Sequence, residues 1–248
     1  MSATRILAKL LWVVVLLPVV VWGQAPAPSS ADMAKEVAAM RAKLADWPQL
    51  EHYREANAAL PPVAADQQRV IVYGASVAEY WATRGASFFS GKPYIDRGIG
   101  GQTSAQMLVR FRQDVIDLHP AAVVFLESTN DVSQNMTAEM SENNWQSIAE
   151  LAKANGIPMI LTSITPSSHF PWRPDLHPAE TIRALNAWLK DYAVSHSLVY
   201  VDFYPVLAND EGGMKADLTV DGVHPNKQGY AAMAPLVQAA INQVLHKK

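Results

Sequence analysis

The chain has 248 residues, half of which are apolar, and a formal net charge of -3 at pH 7. A chain of this length can form one domain with a sizeable core. The small net charge and the lack of a Lys/Arg cluster argue against a nucleic-acid partner. The absence of cysteine excludes a disulfide framework, a thiolate nucleophile and a Cys-ligated zinc site.

The N-terminus predicts a secretory signal peptide over residues 1–25. Arg5 and Lys9 precede an apolar stretch at residues 10–22, and small residues follow from Gly23. This is the order of charged region, apolar region and cleavage site in such peptides. The stretch is shorter than the roughly 20 residues of a bilayer span, and an uncleaved membrane anchor is the alternative. We therefore expect an exported protein, periplasmic or secreted, without stable membrane association after cleavage.

Residues 26–62 predict a short linker and a helical extension. The linker is rich in Pro, Ala and Ser, and Pro61 and Pro62 end the extension. Between them, apolar residues recur at helical spacing, at Val37, Met40, Leu44 and Trp47. We expect one or two amphipathic helices packed on the outside of the main domain, with binding of a partner as the alternative.

From Arg69 onward, patterns typical of strands and of helices alternate. Short apolar runs predict buried strands at residues 70–73, 93–97, 121–126, 157–164 and 198–203. Amphipathic periodicity predicts a helix that begins near Val77 and helices over residues 104–117, 142–155, 178–196 and 227–245. Such alternation is typical of a parallel sheet covered by helices on both faces. We therefore predict an α/β fold for residues 63–248, a three-layer α/β/α sandwich of the flavodoxin-like type with a five-stranded parallel sheet.

Ser76 is a candidate nucleophile because it follows the first predicted strand. Side chains just beyond the carboxyl ends of parallel strands face the active crevice of such sheets, and Gly101 and Asn130 follow the next two strands. A serine that opens a helix also lies near unpaired N–H groups and the positive end of the helix dipole. The alternative is an ordinary N-cap serine, which is the common role at this position.

Asp221 and His224 are candidate partners of that serine. They are three residues apart in a turn that contains Gly222. The carboxylate can reach one imidazole nitrogen and leave the other to accept the serine proton, and Pro225 favours an extended backbone at His224. The alternative is a turn aspartate followed by a surface histidine, since Asp-Gly is a common turn sequence.

Gly101 and Asn130 are candidates for stabilising an oxyanion, through a backbone N–H and a side-chain amide. Gly101 lies in a glycine-rich turn, which is typical of places where the backbone approaches a ligand or a neighbouring segment closely. The turn does not match the dinucleotide fingerprint, because Thr103 stands in place of the third glycine. For Asn130 the alternative is an ordinary turn residue.

Together these motifs resemble the SGNH (GDSL) hydrolase superfamily, which is named for a serine, a glycine, an asparagine and a histidine in four sequence blocks. The matching residues are Ser76, Gly101, Asn130 and His224, in that order, with Asp221 three residues before the histidine. The resemblance covers residues 69–245 and implies the same sandwich fold. It implies hydrolysis of esters or thioesters without a metal or an organic cofactor.

The resemblance also implies a role for each matching residue. Ser76 attacks the ester, His224 acts as base and then as acid, and Asp221 orients His224. The backbone N–H groups of Ser76 and Gly101 form the oxyanion hole with the side chain of Asn130.

Two positions depart from the family pattern. Ala75 stands where the family has an aspartate before the nucleophile, and Ser128 stands where it has a glycine. Neither change removes a catalytic group, but both alter the surroundings of the oxyanion hole. A weak enzyme or an inactive binding protein on the same scaffold is therefore an alternative.

Aromatic residues near the strand ends are candidates for lining a substrate pocket. Tyr80 and Trp81 lie one turn after Ser76, and Phe170 and Trp172 lie in the segment 167–174 after the fourth strand. For that segment the alternative is a loop packed on its own side chains.

We expect an exported serine esterase that acts on short-chain or carbohydrate-linked acyl esters. A lysophospholipase or thioesterase that acts on longer acyl chains is the alternative enzyme. The expected partner is a small-molecule or carbohydrate acyl ester, and no nucleic acid.

Overall fold

The computed structural model describes residues 29–64, 66–127 and 129–246. The predicted signal peptide, the first residues of the linker and Ser128 lie outside these ranges. Within them, no helix is long and apolar enough to cross a membrane.

The described residues fall into two compact units, with the division between Lys43 and Leu44. Helix α1 (Ser30–Ala45) begins in the first unit. Ser29 precedes it, and the Ser29 hydroxyl accepts the N–H of Asp32 at 3.1 Å. A serine in this position satisfies an N–H group that the helix itself leaves unpaired.

The second unit is built on a parallel sheet. Its strands are β1 (Val70–Gly74), β2 (Tyr94–Gly98), β3 (Ala122–Leu126), β4 (Met159–Thr162) and β5 (Val199–Val201). They lie in the order β2-β1-β3-β4-β5, and neighbouring strands pair in parallel. β1 and β3 are buried along their whole length, as expected for central strands that are covered on both faces. The predicted α/β fold with a five-stranded parallel sheet is confirmed.

Helices connect the strands and cover both faces of the sheet. They are α2 (Arg54–Ala58), α3 (Ser76–Arg84), α4 (Ser104–Asp114), α5 (Asn130–Ser133), α6 (Ala138–Ala154), α7 (Ala179–Ser195), α8 (Tyr204–Leu207) and α9 (Lys227–Leu245). On one face, residues of α4, α6 and α7 share a core with Ile71 and Tyr73 of β1. On the other, residues of α3 and α9 share a core with Val70 and Val72. Successive residues of β1 thus point to opposite layers, as the pleat of a strand requires.

Two helices differ from their predicted bounds for local reasons. α6 begins at Ala138 instead of residue 142, because Thr137 caps it and accepts the N–H of Met140 at 3.2 Å. α4 ends at Asp114 instead of residue 117, since Val115 leaves the helical conformation and a 3-10 turn follows. Capping and backbone geometry, which hydropathy does not report, set these ends.

The segment after α1 packs on the edge of the sheet-bearing unit. Tyr53 donates its hydroxyl to the carbonyl of Gly98 at the end of β2. Gln113 of α4 donates its side-chain amide to the carbonyl of Leu50 at 2.7 Å. Leu50 and Tyr53 therefore contact the domain, whereas Leu44 and Trp47, which belong to the apolar repeat on which the prediction of packing rested, are 72% and 43% exposed.

A buried arginine links the ends of two strands. The Arg110 side chain is fully buried, and its Nη2 donates to the carbonyl of Gly74 at 2.8 Å. Its Nη1 donates to the carbonyl of Arg97 at 2.9 Å and pairs with the Asp114 carboxylate at 3.1 Å. Its Nε donates to the side chain of Gln102 at 2.5 Å. The guanidinium thus fixes the ends of β1 and β2 relative to α4.

Replacing Arg110 with methionine should destabilise the protein by about 3–5 kcal/mol, because it leaves the buried Asp114 carboxylate without its cation. Chemical denaturation measures this free energy of unfolding. Arg112→Met is the matched control on the same helix, since the Arg112 side chain is 65% exposed, and it should change the stability by no more than about 0.5 kcal/mol. Similar losses in the two variants would contradict the role assigned to Arg110.

Candidate active site

Three strand ends bring polar groups to one edge of the sheet. β2, β1 and β3 are parallel neighbours, so their carboxyl ends lie side by side. Ser76 opens α3 after β1, Gly101 lies in the loop after β2, and Asn130 opens α5 after β3. In open α/β sheets this edge is the usual place of a ligand crevice.

Ser76, His224 and Asp221 form a chain of hydrogen bonds. Ser76 Oγ lies 3.0 Å from His224 Nε2, and His224 Nδ1 lies 2.7 Å from Asp221 Oδ2. The N-cap of α3 is Ala75, so the Ser76 hydroxyl does not cap the helix. The His224 side chain is only 15% exposed, which does not fit a plain surface histidine. An alcohol, an imidazole and a carboxylate in this order can pass a proton away from the serine.

Asp221 also builds the turn in which it lies. Its Oδ1 accepts the N–H groups of Val223 and His224 at 3.0 and 2.8 Å. Gly222 has a φ of +85°, a conformation that favours glycine. Burial opposes ionisation of Asp221, but the hydrogen bonds from the backbone and ring of His224 and from Val223 outweigh it and lower the pKa of Asp221. The carboxylate that faces the ring is therefore ionised at neutral pH.

Ser76, Gly101 and Asn130, whose amide groups were predicted to bind an oxyanion, line one cleft. The N–H of Ser76 belongs to the first turn of α3, where N–H groups lack a partner within the helix and the dipole is positive. Gly101 has a φ of +78°, and a Cβ there would touch nothing within 4 Å. Backbone conformation, and not crowding, thus favours glycine at this position. Asn130 is buried, and its Nδ2 donates to the carbonyl of Gln102 at 2.9 Å, which orients its amide.

The glycine loop after β2 is tied to the helix that carries Ser76. Glu79 lies three residues after Ser76 on α3, and its Oε2 accepts the N–H of Gly100 at 3.0 Å. Gly98 packs so closely on α3 that a Cβ there would overlap the main chain of Ala78. These contacts fix the position of the glycine loop relative to Ser76.

Asn130 is anchored through its neighbour Asp131. The Asp131 carboxylate accepts the N–H and the hydroxyl of Ser104 at 2.8 and 2.5 Å. Burial raises the pKa of Asp131, and the hydrogen bonds from Ser104 oppose that rise. Because α4 begins at Ser104, this contact joins the segment after β3 to the helix after β2.

A cleft of about 410 Å³ opens over these groups. It is lined by Ser76, Tyr80, Gly100, Gly101, Asn130, Ser133, Gln134, Trp172, Arg173 and His224. The rings of Tyr80 and Trp172 flank His224, with centroids 5.3 and 6.2 Å from the imidazole. Another cavity, of about 450 Å³, is lined by Gly156 and Met159. It lies where β4 begins, at the opposite end of the strands from Ser76.

The aromatic residues predicted to line the pocket have different places. Trp172 lines the cleft and is 48% exposed. Trp81 is fully buried and stacks on Phe88 in the core. Phe170 is fully buried as well and stacks with Trp172, with ring centroids 5.4 Å apart. The prediction that Trp81 and Phe170 line the substrate pocket is therefore wrong. Trp81 packs in the core, and Phe170 supports the ring of Trp172.

Gln134 and Arg173 also line the cleft, although neither was predicted as a site residue. Tyr80, which was predicted with Trp81 to lie near the site, lines the cleft because residues four apart on a helix share a face and Tyr80 lies four residues after Ser76. For Arg173 the only signal was its place in the loop after the fourth strand.

Ala75, one of the two departures from the family pattern, contributes through its backbone. Its carbonyl accepts the N–H groups of Ala78 and Glu79 at 3.1 and 3.0 Å. The first turn of α3 therefore closes without a carboxylate at this position. The other departure, Ser128, lies outside the described residues.

Comparisons with known proteins agree with this architecture. The model of the GDSL-like Lipase/Acylhydrolase family matches residues 68–232. A GDSL-like lipase from Bacteroides thetaiotaomicron is 40% identical, with a TM-score of 0.77 over 80% of this chain and 99% of that one. An acetylxylan esterase from Geobacillus stearothermophilus has the same fold at 17% identity, with a TM-score of 0.56 over 73% of this chain and 96% of that one. Esterase TesA from Pseudomonas aeruginosa is 26% identical over 131 residues, which span 53% of this chain and 60% of that protein.

Proposed function

The chain belongs to the GDSL-like lipase/acylhydrolase family, and from this premise we propose that it is an exported serine esterase for short-chain or carbohydrate-linked acyl esters. The observation that carries the proposal is the hydrogen-bonded chain from Ser76 through His224 to Asp221. Ester hydrolysis needs an alcohol that can lose its proton beside donors that can bind an oxyanion. The same cleft holds both.

In the first half of the proposed reaction, the Ser76 proton moves to His224 Nε2 while Oγ attacks the ester carbon. The carbonyl oxygen becomes an oxyanion and accepts hydrogen bonds from the N–H groups of Ser76 and Gly101 and from the Asn130 amide. Asp221 stabilises the imidazolium. When the bond to the alcohol oxygen breaks, His224 gives its proton to the departing alcohol, and an acyl-serine remains.

In the second half, a water molecule takes the place of the alcohol. His224 accepts a proton from the water as the water oxygen attacks the acyl carbon. The same donors bind the second oxyanion. The bond to Ser76 Oγ then breaks, the proton returns to that oxygen, and the carboxylic acid leaves. The complete cycle consumes one ester and one water molecule and produces one alcohol and one carboxylic acid.

The lining of the cleft supports a short acyl group. Tyr80 and Trp172 are its aromatic members, and the other lining residues are polar or glycine. Burial of a long acyl chain would need a continuous apolar groove, because the stabilisation scales with the apolar area removed from water. The two rings beside His224 suit a carbohydrate alcohol better than an alkyl chain.

A series of esters with one alcohol and different acyl groups tests the proposal. We expect kcat/KM to be highest for the acetyl ester and to fall towards the octanoyl ester. Faster turnover of the longer esters would favour the lysophospholipase or thioesterase alternative. No turnover, together with no labelling of Ser76 by a fluorophosphonate, would indicate a binding protein.

The proposal of export divides the chain into three segments. Residues 1–25 would direct export and be removed, residues 26–62 would form the linker and helical extension, and residues 63–248 would carry the catalytic groups. The order of charged, apolar and small residues at the N-terminus supports this division. N-terminal sequencing of protein recovered from the periplasm or the medium tests it, and recovery of only the uncleaved chain in membranes would contradict it.

A further inference from the structure

Arg173 differs from the other residues of the cleft in its charge. Among the lining residues that the structure describes, Arg173 alone has a side chain that stays charged throughout the physiological pH range. Its side chain is 33% exposed. None of the proposed chemical steps uses it, so its presence in the cleft calls for another role.

The Arg173 guanidinium is held in place before any substrate binds. Its Nη1 donates to the carbonyl of Ser133 at 2.8 Å, at the end of the helix that Asn130 opens. The backbone N–H of Arg173 donates to the carbonyl of Phe170 at 2.9 Å, and Phe170 is fully buried. A group that is already fixed loses little conformational freedom when it binds a ligand.

Asp175, the carboxylate that pairs with Arg173, would compete only weakly with a substrate anion for the guanidinium. Asp175 Oδ1 lies 3.5 Å from the Arg173 Nε, and the Asp175 side chain is 73% exposed, so water screens the pair. A second guanidinium, that of Arg84, lies 4.2 Å from the centroid of the Tyr80 ring. The cleft therefore has cations near it, although the whole chain has a net charge of -3.

The direction of proton transfer indicates which part of the substrate meets Arg173. His224 gives its proton to the alcohol oxygen, so the alcohol part must lie beside the imidazole. Tyr80 and Trp172 flank the imidazole there, and Arg173 directly follows Trp172. An aromatic face offers a large and rigid contact area to the apolar face of a sugar ring. A guanidinium pairs with a carboxylate through two parallel hydrogen bonds.

We propose that Arg173 selects esters whose alcohol part is an acidic sugar, with a carboxylate close to the esterified hydroxyl. The inference rests on the proposed function and names the substrate class of the same site. The sugar carboxylate pairs with the guanidinium, the ring packs on Trp172, and the ester carbonyl reaches Ser76. Arg173 is then a specificity-determining residue and not a participant in the chemical steps.

Two sugar esters that differ only in the acidic group test the inference. One is a methyl glucuronoside with a single acetyl group, and the other is the methyl glucoside acetylated at the same hydroxyl. We expect kcat/KM to be about tenfold higher for the glucuronoside, through a lower KM, as a charge-assisted pair of about 1.4 kcal/mol would give. This ratio should approach one in Arg173→Gln and fall as the salt concentration rises. In Arg173→Lys it should take an intermediate value, because lysine keeps the charge but cannot form the two parallel hydrogen bonds.

Arg112→Gln is the matched control for this experiment. Arg112 is an exposed arginine on α4, 3.9 Å from Asp117, and this variant should keep the native ratio. A native ratio of one or less, or an unchanged ratio in Arg173→Gln, overturns the inference. The proposed function survives that result if Ser76→Ala abolishes hydrolysis of both esters. Hydrolysis of neither ester by the native protein overturns this inference, and the proposed function falls with it only if the native protein also fails to hydrolyse an aryl acetate.

Discussion

Replacing Ser76 with alanine should lower kcat for an acetyl ester by at least about 10⁴-fold. The Ser76 oxygen forms the acyl bond of the proposed intermediate, and the variant has no atom to take its place. Because Ala75 is the N-cap of α3, the change removes no helix cap. The free energy of unfolding should therefore change by no more than about 0.5 kcal/mol. Initial rates with an aryl acetate and chemical denaturation measure the two effects.

A second serine provides the control for this loss. The Ser147 hydroxyl donates to the carbonyl of Asn143 on α6, outside the cleft. Ser147→Ala should retain native turnover, which separates the loss from effects of expression and purification. A fluorophosphonate should label the native protein and this control but not Ser76→Ala. Equal turnover by the native protein and Ser76→Ala would remove Ser76 from the mechanism.

The sheet could be predicted because its central strands are buried on both faces. Residues 70–73 and 121–126 are continuous apolar runs, and the structure buries β1 and β3 completely. Strand ends were harder to predict, because hydrogen bonds decide where a ladder stops. β5 ends at Val201, and the Asp202 carboxylate then accepts the N–H of Tyr204 and turns the chain. Asp202 is a sign of that turn in the sequence, but a polar residue followed by Phe203 also fits the alternation of a longer strand.

Convergence of the polar motifs was predictable for a topological reason. Each motif follows a strand, and parallel neighbours end at the same edge of a sheet. The lining of the cleft was less predictable. Residue 81 lies about 100° further round the helix than residue 80, and this rotation takes Trp81 into the core while Tyr80 stays beside His224. The place of Arg173 depends on its contact with Ser133, forty residues away, which no local pattern encodes.

Asp221 has two separate tasks, and its two oxygens divide them. Oδ1 accepts the N–H groups of Val223 and His224 and thereby shapes the turn. Oδ2 lies 2.7 Å from His224 Nδ1 and, as an ionised carboxylate oxygen, accepts a hydrogen bond from the Nδ1–H group. With the proton held on Nδ1, the Nε2 atom carries a lone pair towards Ser76. The tautomer of the ring, and not only its position, therefore depends on Asp221.

Replacing Asp221 with asparagine should separate these tasks. The asparagine oxygen can keep the two backbone hydrogen bonds, so the turn and the free energy of unfolding should change little. The NH₂ group of the asparagine would donate to His224 Nδ1, so the neutral imidazole would carry its proton on Nε2. A protonated Nε2 cannot accept the proton of Ser76. In serine proteases the equivalent change lowers kcat by about 10⁴-fold, and we expect a loss of similar size here.

The measurement is kcat for an acetyl ester, with Asp217→Asn as the matched control. Asp217 is an exposed aspartate in the 3-10 turn shortly before Asp221, and its replacement should leave kcat within about twofold, as for most surface changes. A loss of less than tenfold in Asp221→Asn would mean that His224 finds its reactive tautomer without the carboxylate. Asp221 would then serve the turn alone, and the proposed mechanism would rest on Ser76 and His224 as a pair.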